Sequence, residues 1–387
     1  MFSPVLLLGF VTIVSTVVAN PVVINRSPIL SIPLTKIHNI TSGHNLVASG
    51  LARAQNFKDR AQAHDLAAIK KRQAVPVSTH EAVTYVASVG VGASNKQYKL
   101  IVDTGSSNTW VGASTEYVAS STSINTGHVV IVGYGSGEFA GTEYLDKVAL
   151  SSSLVITSQS IGVASESIGF ANVDGILGIG PVDLTQGTVS GVSTVPTVTD
   201  DLFSQGTIAE NVIAISFEPT TTDEVTNGEL FFGGTDSSKF TGAITYTTKS
   251  GDYWGITQTT CGTTLLYLEE TGFNKYIKAT GATLDNATGL YKITTAQYNA
   301  LENLVFTIGG TEFSLTPNAQ IWPRSLNTDI GGSASSIYLV VADLGADEAG
   351  FDFIDGYVFL ERFYSVFDTT NSRVGFATTS FTTATTN

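Results

Sequence analysis

The chain has 387 residues, 42 % of them hydrophobic, a formal net charge of −14 and one cysteine, Cys261. With little charge and many Gly, Thr and Ser, it reads as a globular protein leaning towards β structure. The lone cysteine excludes any intrachain disulfide, so burial and hydrogen bonding must hold the fold.

In chain order, residues Val5–Ala19 form a short apolar run that ends in Val17-Val18-Ala19 before Asn20-Pro21. That is too short to span a bilayer comfortably and has the small-residue ending of a secretory signal, although no Lys or Arg precedes it. No later run is long enough to span a membrane, so a secreted, extracellular protein is expected. Residues 1–72 carry eight Lys and Arg against two Asp and Glu, and the remainder carries 11 against 31. The sign reverses at Lys70-Lys71-Arg72, a basic run that processing proteases could cut. The expectation is a signal over 1–19 and a basic propeptide over 20–72 lying on an acidic body. The remaining length exceeds what one hydrophobic core usually organises, so two lobes are expected. Their bounds are set at 73–219 and 220–387.

From Val83 onward, short alternating or apolar runs recur between turn residues: 84–91, 98–102, 128–132, 148–155, 212–217 and 229–232. These read as antiparallel strands. Ile101-Val102 leads directly into Asp103-Thr104-Gly105-Ser106-Ser107. A lone Asp-Thr-Gly is compatible with an ordinary Asx turn. A carboxylate at the end of an apolar strand, beside hydroxyl donors, is also suited to positioning and deprotonating a water. Gly133-Tyr134-Gly135-Ser136-Gly137 has strand-like residues on both sides and no following helix, so it reads as a hairpin tip rather than a nucleotide loop.

Thr197 and Thr294 open capping-box spacings. Short helices are expected over 269–279 and 361–367, and a frayed tail over 379–387. The first turn is echoed by Gly262-Thr263-Thr264, and Asp174-Gly175-Ile176-Leu177-Gly178 by Phe353-Ile354-Asp355-Gly356. A duplicated lobe follows from that repetition. Asn286-Ala287-Thr288 is a sequon in an expected loop, and Asn25 and Asn39 head two more within the propeptide. The five histidines show no metal-ligand spacing.

Together these segments resemble the pepsin family of aspartic endopeptidases, and within it the secreted fungal subgroup found in wood-decay fungi. The resemblance runs from Asp103–Trp110 through Tyr134–Gly137, 174–178, Leu230–Asp236 and Tyr253–Ile256 to Phe359–Asp368. It implies an all-β, bilobal acid-protease fold with a few short helices and a central cleft, made as a zymogen. It further implies a polypeptide substrate, no cofactor or metal, no nucleic-acid or membrane partner, and a monomer. Asp103 would be the catalytic carboxylate, supported by Thr104, Gly105 and Ser106. Tyr134, Gly135 and Ser136 would form a flap over substrate, and Gly262 and Thr263 would frame the second turn. Two carboxylates in such a site share a proton.

One departure is large. Thr260 stands where the second catalytic aspartate belongs, and Cys261 where the following threonine does. Only Thr257-Gln258-Thr259 separate Ile256 from that turn, where the family has a further hairpin of about 12 to 18 residues. Either a coding segment near 256–261 has been left out of this sequence, or the chain is a pseudoenzyme that binds peptides or proteins. Asp252 is the one carboxylate near enough to be weighed as a substitute. Asp355 is a lesser departure, a carboxylate where the family has an apolar residue, and it is not expected to be catalytic.

Overall fold

The computed structural model describes residues 29–62, 82–222, 224–256, 259–345 and 352–386. The apolar run at 5–19, Asn25 and the basic run at 70–72 lie outside the described residues. Residues Leu30–Asn39 form β1, and Gly43–Gln62 form the helix α1. The N-terminal half continues with β2 (Ala82–Val91), β3 (Lys96–Asp103), β4 (Thr109–Val111), β5 (Ile124–Gly133), β6 (Glu138–Ala149), β7 (Val155–Ile168) and β8 (Gly175–Gly178). Three strands, β9 (Val212–Phe217), β10 (Glu224–Phe232) and β11 (Thr241–Thr248), lead into the C-terminal half. That half holds β12 (Thr259–Thr263), β13 (Leu266–Leu268), β14 (Thr283–Leu284), β15 (Tyr291–Ile293), β16 (Leu304–Ile308) and β17 (Thr311–Leu315). It closes with β18 (Ile337–Tyr338), β19 (Val341–Asp343), β20 (Phe353–Gly356), β21 (Phe363–Asp368) and β22 (Arg373–Thr378).

Among the described residues the largest sheet runs β11-β22-β21-β9-β10-β1-β2-β3-β8-β4-β7-β6-β5. Every residue of β9 is buried, as a near-continuous apolar strand covered on both faces should be. Strand β1 lies between β10 and β2 and joins the two halves of the sheet. Its period-2 pattern turns Ile32, Leu34 and Lys36 inward. The buried Lys36 ammonium pairs with Glu361 at 2.6 Å, and the Tyr85 hydroxyl donates to the same carboxylate at 3.1 Å.

The repeat seen in the sequence is a repeat of topology. Strand β3 runs parallel to β8, which pairs antiparallel with β4, which runs parallel to β7. In the second half β12 runs parallel to β20, β20 antiparallel to β13, and β13 parallel to β19. Gly178 and Gly356 occupy matching places. A Cβ on Gly178 would meet the Ser107 carbonyl carbon at 2.5 Å, and one on Gly356 the Leu265 carbonyl oxygen at 2.3 Å. Only glycine allows backbones to pass that closely.

Most expected elements are present. Both capping boxes form, at Thr197–Asp200 and Thr294–Gln297, and helix Glu270–Thr280 takes up the 269–279 segment. Three expectations need correction. The 148–155 run is two strand ends joined by a turn, since the three serines 151–153 reverse the chain between β6 and β7. Residues 361–367 belong mainly to β21, whose buried aromatics pair with β9 and β22; the helix there is the single turn Tyr357–Leu360. The tail is anchored up to residue 384: Arg362 donates to the Ala384 carbonyl at 2.6 Å, and Thr382 donates to the Arg362 carbonyl at 2.7 Å.

Candidate active site

Strand β3 ends on Asp103 at the level of Gly178, and the turn that follows folds back on the carboxylate. The Ser106 hydroxyl donates to Oδ2 at 2.5 Å and the Gly105 N–H to Oδ1 at 2.9 Å. Ile179 N–H bonds the Asp103 carbonyl and Gly180 N–H the Ser106 carbonyl, so the β8 segment clamps the turn from behind. Thr104 is buried beside them. A carboxylate fixed by two donors has one orientation, which a water-activating base requires.

The β5–β6 hairpin carries Tyr134-Gly135-Ser136 at its tip, closed by Tyr134 N–H on the Gly137 carbonyl at 2.7 Å. Tyr134 packs edge-on to Phe170, with ring centroids 5.5 Å apart, and is buried like Ser136. From the other half, Thr263 and Thr264 line the same space as Asp103, Tyr134 and Ser136. Thr263 donates to the Leu265 carbonyl at 2.7 Å; Thr264 accepts from the Val83 N–H at 3.1 Å. The structure therefore brings Asp103, its supports, the flap residues and Thr263 to one cleft between the halves.

That cleft is filled. Helix α1 crosses it, and the space left holds only about 40 Å³. Arg53 donates through Nη2 to Asp103 Oδ1 as a buried ion pair. Gly135 has φ +78°, and a Cβ there would meet the Ala52 carbonyl oxygen at 2.3 Å, so the flap tip lies directly on the helix backbone. Phe57 lies between the Arg53 guanidinium, 5.3 Å from its ring centre, and Tyr253, whose ring is tilted against it with centroids 4.8 Å apart. Burial alone would raise the Asp103 carboxyl. The Arg53 charge and hydrogen bond, aided by Ser106 and Gly105, outweigh it and hold the group below the usual carboxylate value.

Sequence reasoning did not find α1, Arg53 or Tyr357, whose hydroxyl donates to the Val102 carbonyl at 3.3 Å. A signal for the helix was present, because Leu46, Ala54 and Phe57 recur at helical spacing and are the hydrophobic residues it buries.

The second turn is less regular. Tyr267 faces Ile354 as Trp110 faces Ile176, and Gly356 crowds Thr264 and Leu265 as Gly178 crowds Ser107 and Asn108. Counting back from either anchor aligns Thr260 with Asp103 and Gly262 with Gly105. The ladder of β12 says otherwise: Thr260 pairs with Ile354, the counterpart of Ile176, which pairs with Ile101. It is Thr263 that lies opposite Gly356. The backbone before the turn is thus displaced by two residues along its partner at Thr260, and a bulge between Cys261 and Thr263 makes the displacement three at Gly356. Asp252 is exposed in a turn and does not line the cleft.

Asp355 does not line the cleft either. It is fully buried, and among the described residues neither carboxylate oxygen has a hydrogen-bond partner. Burial pushes its pKa well above the usual value. Its counterpart Leu177 sits in the apolar core. Replacement by leucine is expected to stabilise the fold by about 1–3 kcal/mol at pH 3, by removing an unsatisfied buried polar group. The gain should be larger at pH 7. Above the free-acid pKa of about 3.9 the unfolded carboxyl ionises while the buried one resists, and that penalty grows with pH. Thermal unfolding of Asp355→Leu at both pH values checks the sign; a gain that shrinks with rising pH would refute it.

The eukaryotic aspartyl protease family matches residues 84–261 and 259–379, together most of the chain. Polyporopepsin from Irpex lacteus is 59 % identical over 335 residues, covering 80 % of this chain and 98 % of that protein. The chain belongs to the eukaryotic aspartyl protease family. The crystal structure of an aspartic proteinase from Irpex lacteus superimposes with a TM-score of 0.77 at 50 % identity, over 93 % of this chain and all of that one. Cathepsin D from Dictyostelium discoideum is more distant, 29 % identical over 81 % of this chain and 88 % of its own length. By family the chain is a pepsin-like aspartic endopeptidase with polypeptide substrates, and its fold is the bilobal, mainly β one expected of it. Among the described residues no helix is long and apolar enough to cross a membrane.

Proposed function

We propose that the chain is a secreted acid endopeptidase made as a zymogen. Its signal would span 1–19, its propeptide 20–72, and its two lobes 73–219 and 220–387. In the released enzyme Asp103 deprotonates a water that attacks the scissile carbonyl of an extended peptide lying under the Tyr134 hairpin. The second carboxyl polarises that carbonyl, and no covalent intermediate is needed. The observation that carries this reading is the buried Arg53–Asp103 pair: a basic segment placed ahead of a processing-type cleavage run neutralises the one carboxylate that lines the cleft among the described residues. The same segment is tethered a second time through Lys36 and Glu361.

The second carboxyl belongs to a coding segment left out between Ile256 and Gly262, and Thr260 stands at the vacant position. Three observations support this. The family matches in two stretches that meet at 259–261. The polyporopepsin alignment spans 335 positions but 80 % of 387 residues, about 310, so that relative has positions with no counterpart here. The β12 ladder is slipped by two residues. Losing a core hairpin would also cost a family member several kcal/mol of burial. The alternative is a pseudoenzyme that keeps the cleft and binds peptides or another protein, favoured by Thr260 as it stands. Sequencing the transcript across 256–262 decides between them. A recovered hairpin ending in Asp-Thr restores the enzyme, and a transcript identical to this sequence leaves the binding protein.

A further inference from the structure

Asn286-Ala287-Thr288 is the one glycan-acceptor sequon after residue 72. The structure sets it in the loop between β14 and β15, where Thr283 pairs with Lys292 and Leu284 with Tyr291. Asp285 builds this loop. Its carbonyl accepts the Thr288 N–H at 3.1 Å and the Gly289 N–H at 2.8 Å, and its Oδ1 accepts the Ala287 N–H at 3.0 Å. Its Oδ2 takes Lys292 Nζ at 3.0 Å and the Tyr338 hydroxyl at 2.9 Å, which ties the loop to β15 and β18. Gly289, at φ +75°, takes the left-handed position that returns the chain to β15.

The two residues that define the sequon differ in burial. Asn286 is exposed, and the loop uses its backbone carbonyl, which lies 2.8 Å from His44 Nε2 on α1. Thr288 is 0 % exposed, and its hydroxyl accepts the Leu290 N–H at 3.1 Å. Helix α1 covers the loop from within, since a Cβ on Gly43 would meet the Thr288 carbonyl oxygen at 2.4 Å. No residue of the loop lines the cleft that holds Asp103. A sugar on Asn286 would therefore stand in water and leave that cleft open. The other two sequons differ. Asn25 lies outside the described residues, and Asn39 is half-buried at the end of β1, opposite Ala82 in the ladder. If residues 20–72 are cut away, both leave with them.

We infer that Asn286 is an N-glycosylation site, modified before the C-terminal half folds, and that the released protein carries its single N-glycan there. This rests on the reading that the chain enters the secretory pathway. The donor is an oligosaccharide carried on a polyprenyl diphosphate. Asn286 Nδ2 forms a bond to the anomeric carbon as the bond from that carbon to the diphosphate oxygen breaks. The lipid diphosphate leaves with the bonding pair, and Nδ2 gives up one proton. Transfer requires the hydroxyl two residues on. In the fold that hydroxyl is buried and engaged by Leu290, so the unfolded chain is the substrate.

Two full-length chains made in yeast test the site, one with residues 1–19 as given and one with the host's own secretion signal in their place. Each has an Asn286→Gln control. After digestion with peptide-N-glycosidase and trypsin, peptide 279–292 should show the mass shift of Asn286 converted to Asp in nearly all copies, and Asn286→Gln should lose it. Delivery of the host-signal chain to the medium with residue 286 unmodified overturns the inference. Retention of the chain with its own residues 1–19, while the host-signal chain is modified at 286, overturns the secretion reading and leaves the site standing. The order of events is tested on soluble full-length chain from a bacterium, verified as folded by a cooperative thermal transition. Purified transferase with a lipid-linked donor should modify a synthetic 279–292 peptide at least about tenfold faster than this folded chain. Equal rates would overturn the claim that modification precedes folding.

Discussion

Acid proteolysis by the chain as given, freed of residues 1–72, is expected to lie at background, and Thr260→Asp alone should leave it there. The restored hairpin with Asp at the second turn should raise it by at least about a thousandfold, roughly 4 kcal/mol of barrier. The argument is geometric as well as chemical. The residue aligned with Asp103 is Thr260, and a threonine hydroxyl cannot share a proton with a carboxylate as a second carboxyl does. Supplying a carboxyl at 260 does not supply its place, because β12 pairs Thr260 with Ile354 while Asp103 stands opposite Gly178, two residues further on. At about 3.3 Å per residue that slip moves a side chain some 6–7 Å, beyond proton-sharing reach. Cleavage of a casein or haemoglobin substrate at pH 3 to 4 is the measurement. Substantial activity from Thr260→Asp alone would refute the slip. In the restored chain Asp103→Asn should abolish activity again, and if it does not, Asp103 is not the base.

How much of this was legible in the sequence differs from one element to the next, for physical reasons. Asp103, Ser106 and the 133–137 tip were legible because their work is local: a strand end, a turn and a hairpin are each specified within a few residues. The strand over 212–217 was legible because both its faces are covered, so its apolar run needs no context. The 361–367 segment misled because a single turn of helix runs into a buried strand, and neighbouring strands rather than local propensity fix such a strand. Arg53 was hidden for a stronger reason. Its partner lies 50 residues away, and only the folded cleft makes this arginine the counter-charge. The departure of the second turn, Thr260 where the first has Asp103, was readable, but the two-residue offset of Thr260 along β20 was not, since register is a property of a pair of strands.

In the full-length chain, Arg53→Gln is expected to reverse the pH dependence of helix docking. In the parent chain Asp103 is held below the usual carboxylate value, chiefly by Arg53 working against burial. A group with a depressed folded pKa contributes stability that is fully present above its free value, about 3.9, and lost as pH falls through the folded value. Docking of residues 43–62 is therefore firm at neutral pH and weakens in acid, as Asp103 is protonated and Arg53 is left buried without a counter-charge. Breaking a buried pair by removing one partner costs about 3–5 kcal/mol, so the variant's helix should open roughly a hundredfold or more often at pH 7. With the guanidinium gone, only Ser106 and Gly105 oppose the burial that raises the Asp103 carboxyl, so its docked pKa moves up. The helix of the variant should then dock better in acid than at neutrality. Limited proteolysis of 43–62 across pH 3 to 7, using proteases chosen for each range, reads the trend directly. Parallel profiles for parent and variant would mean that Arg53 is not the latch and that Lys36–Glu361 holds the segment instead, in which case Lys36→Ala rather than Arg53→Gln should free it.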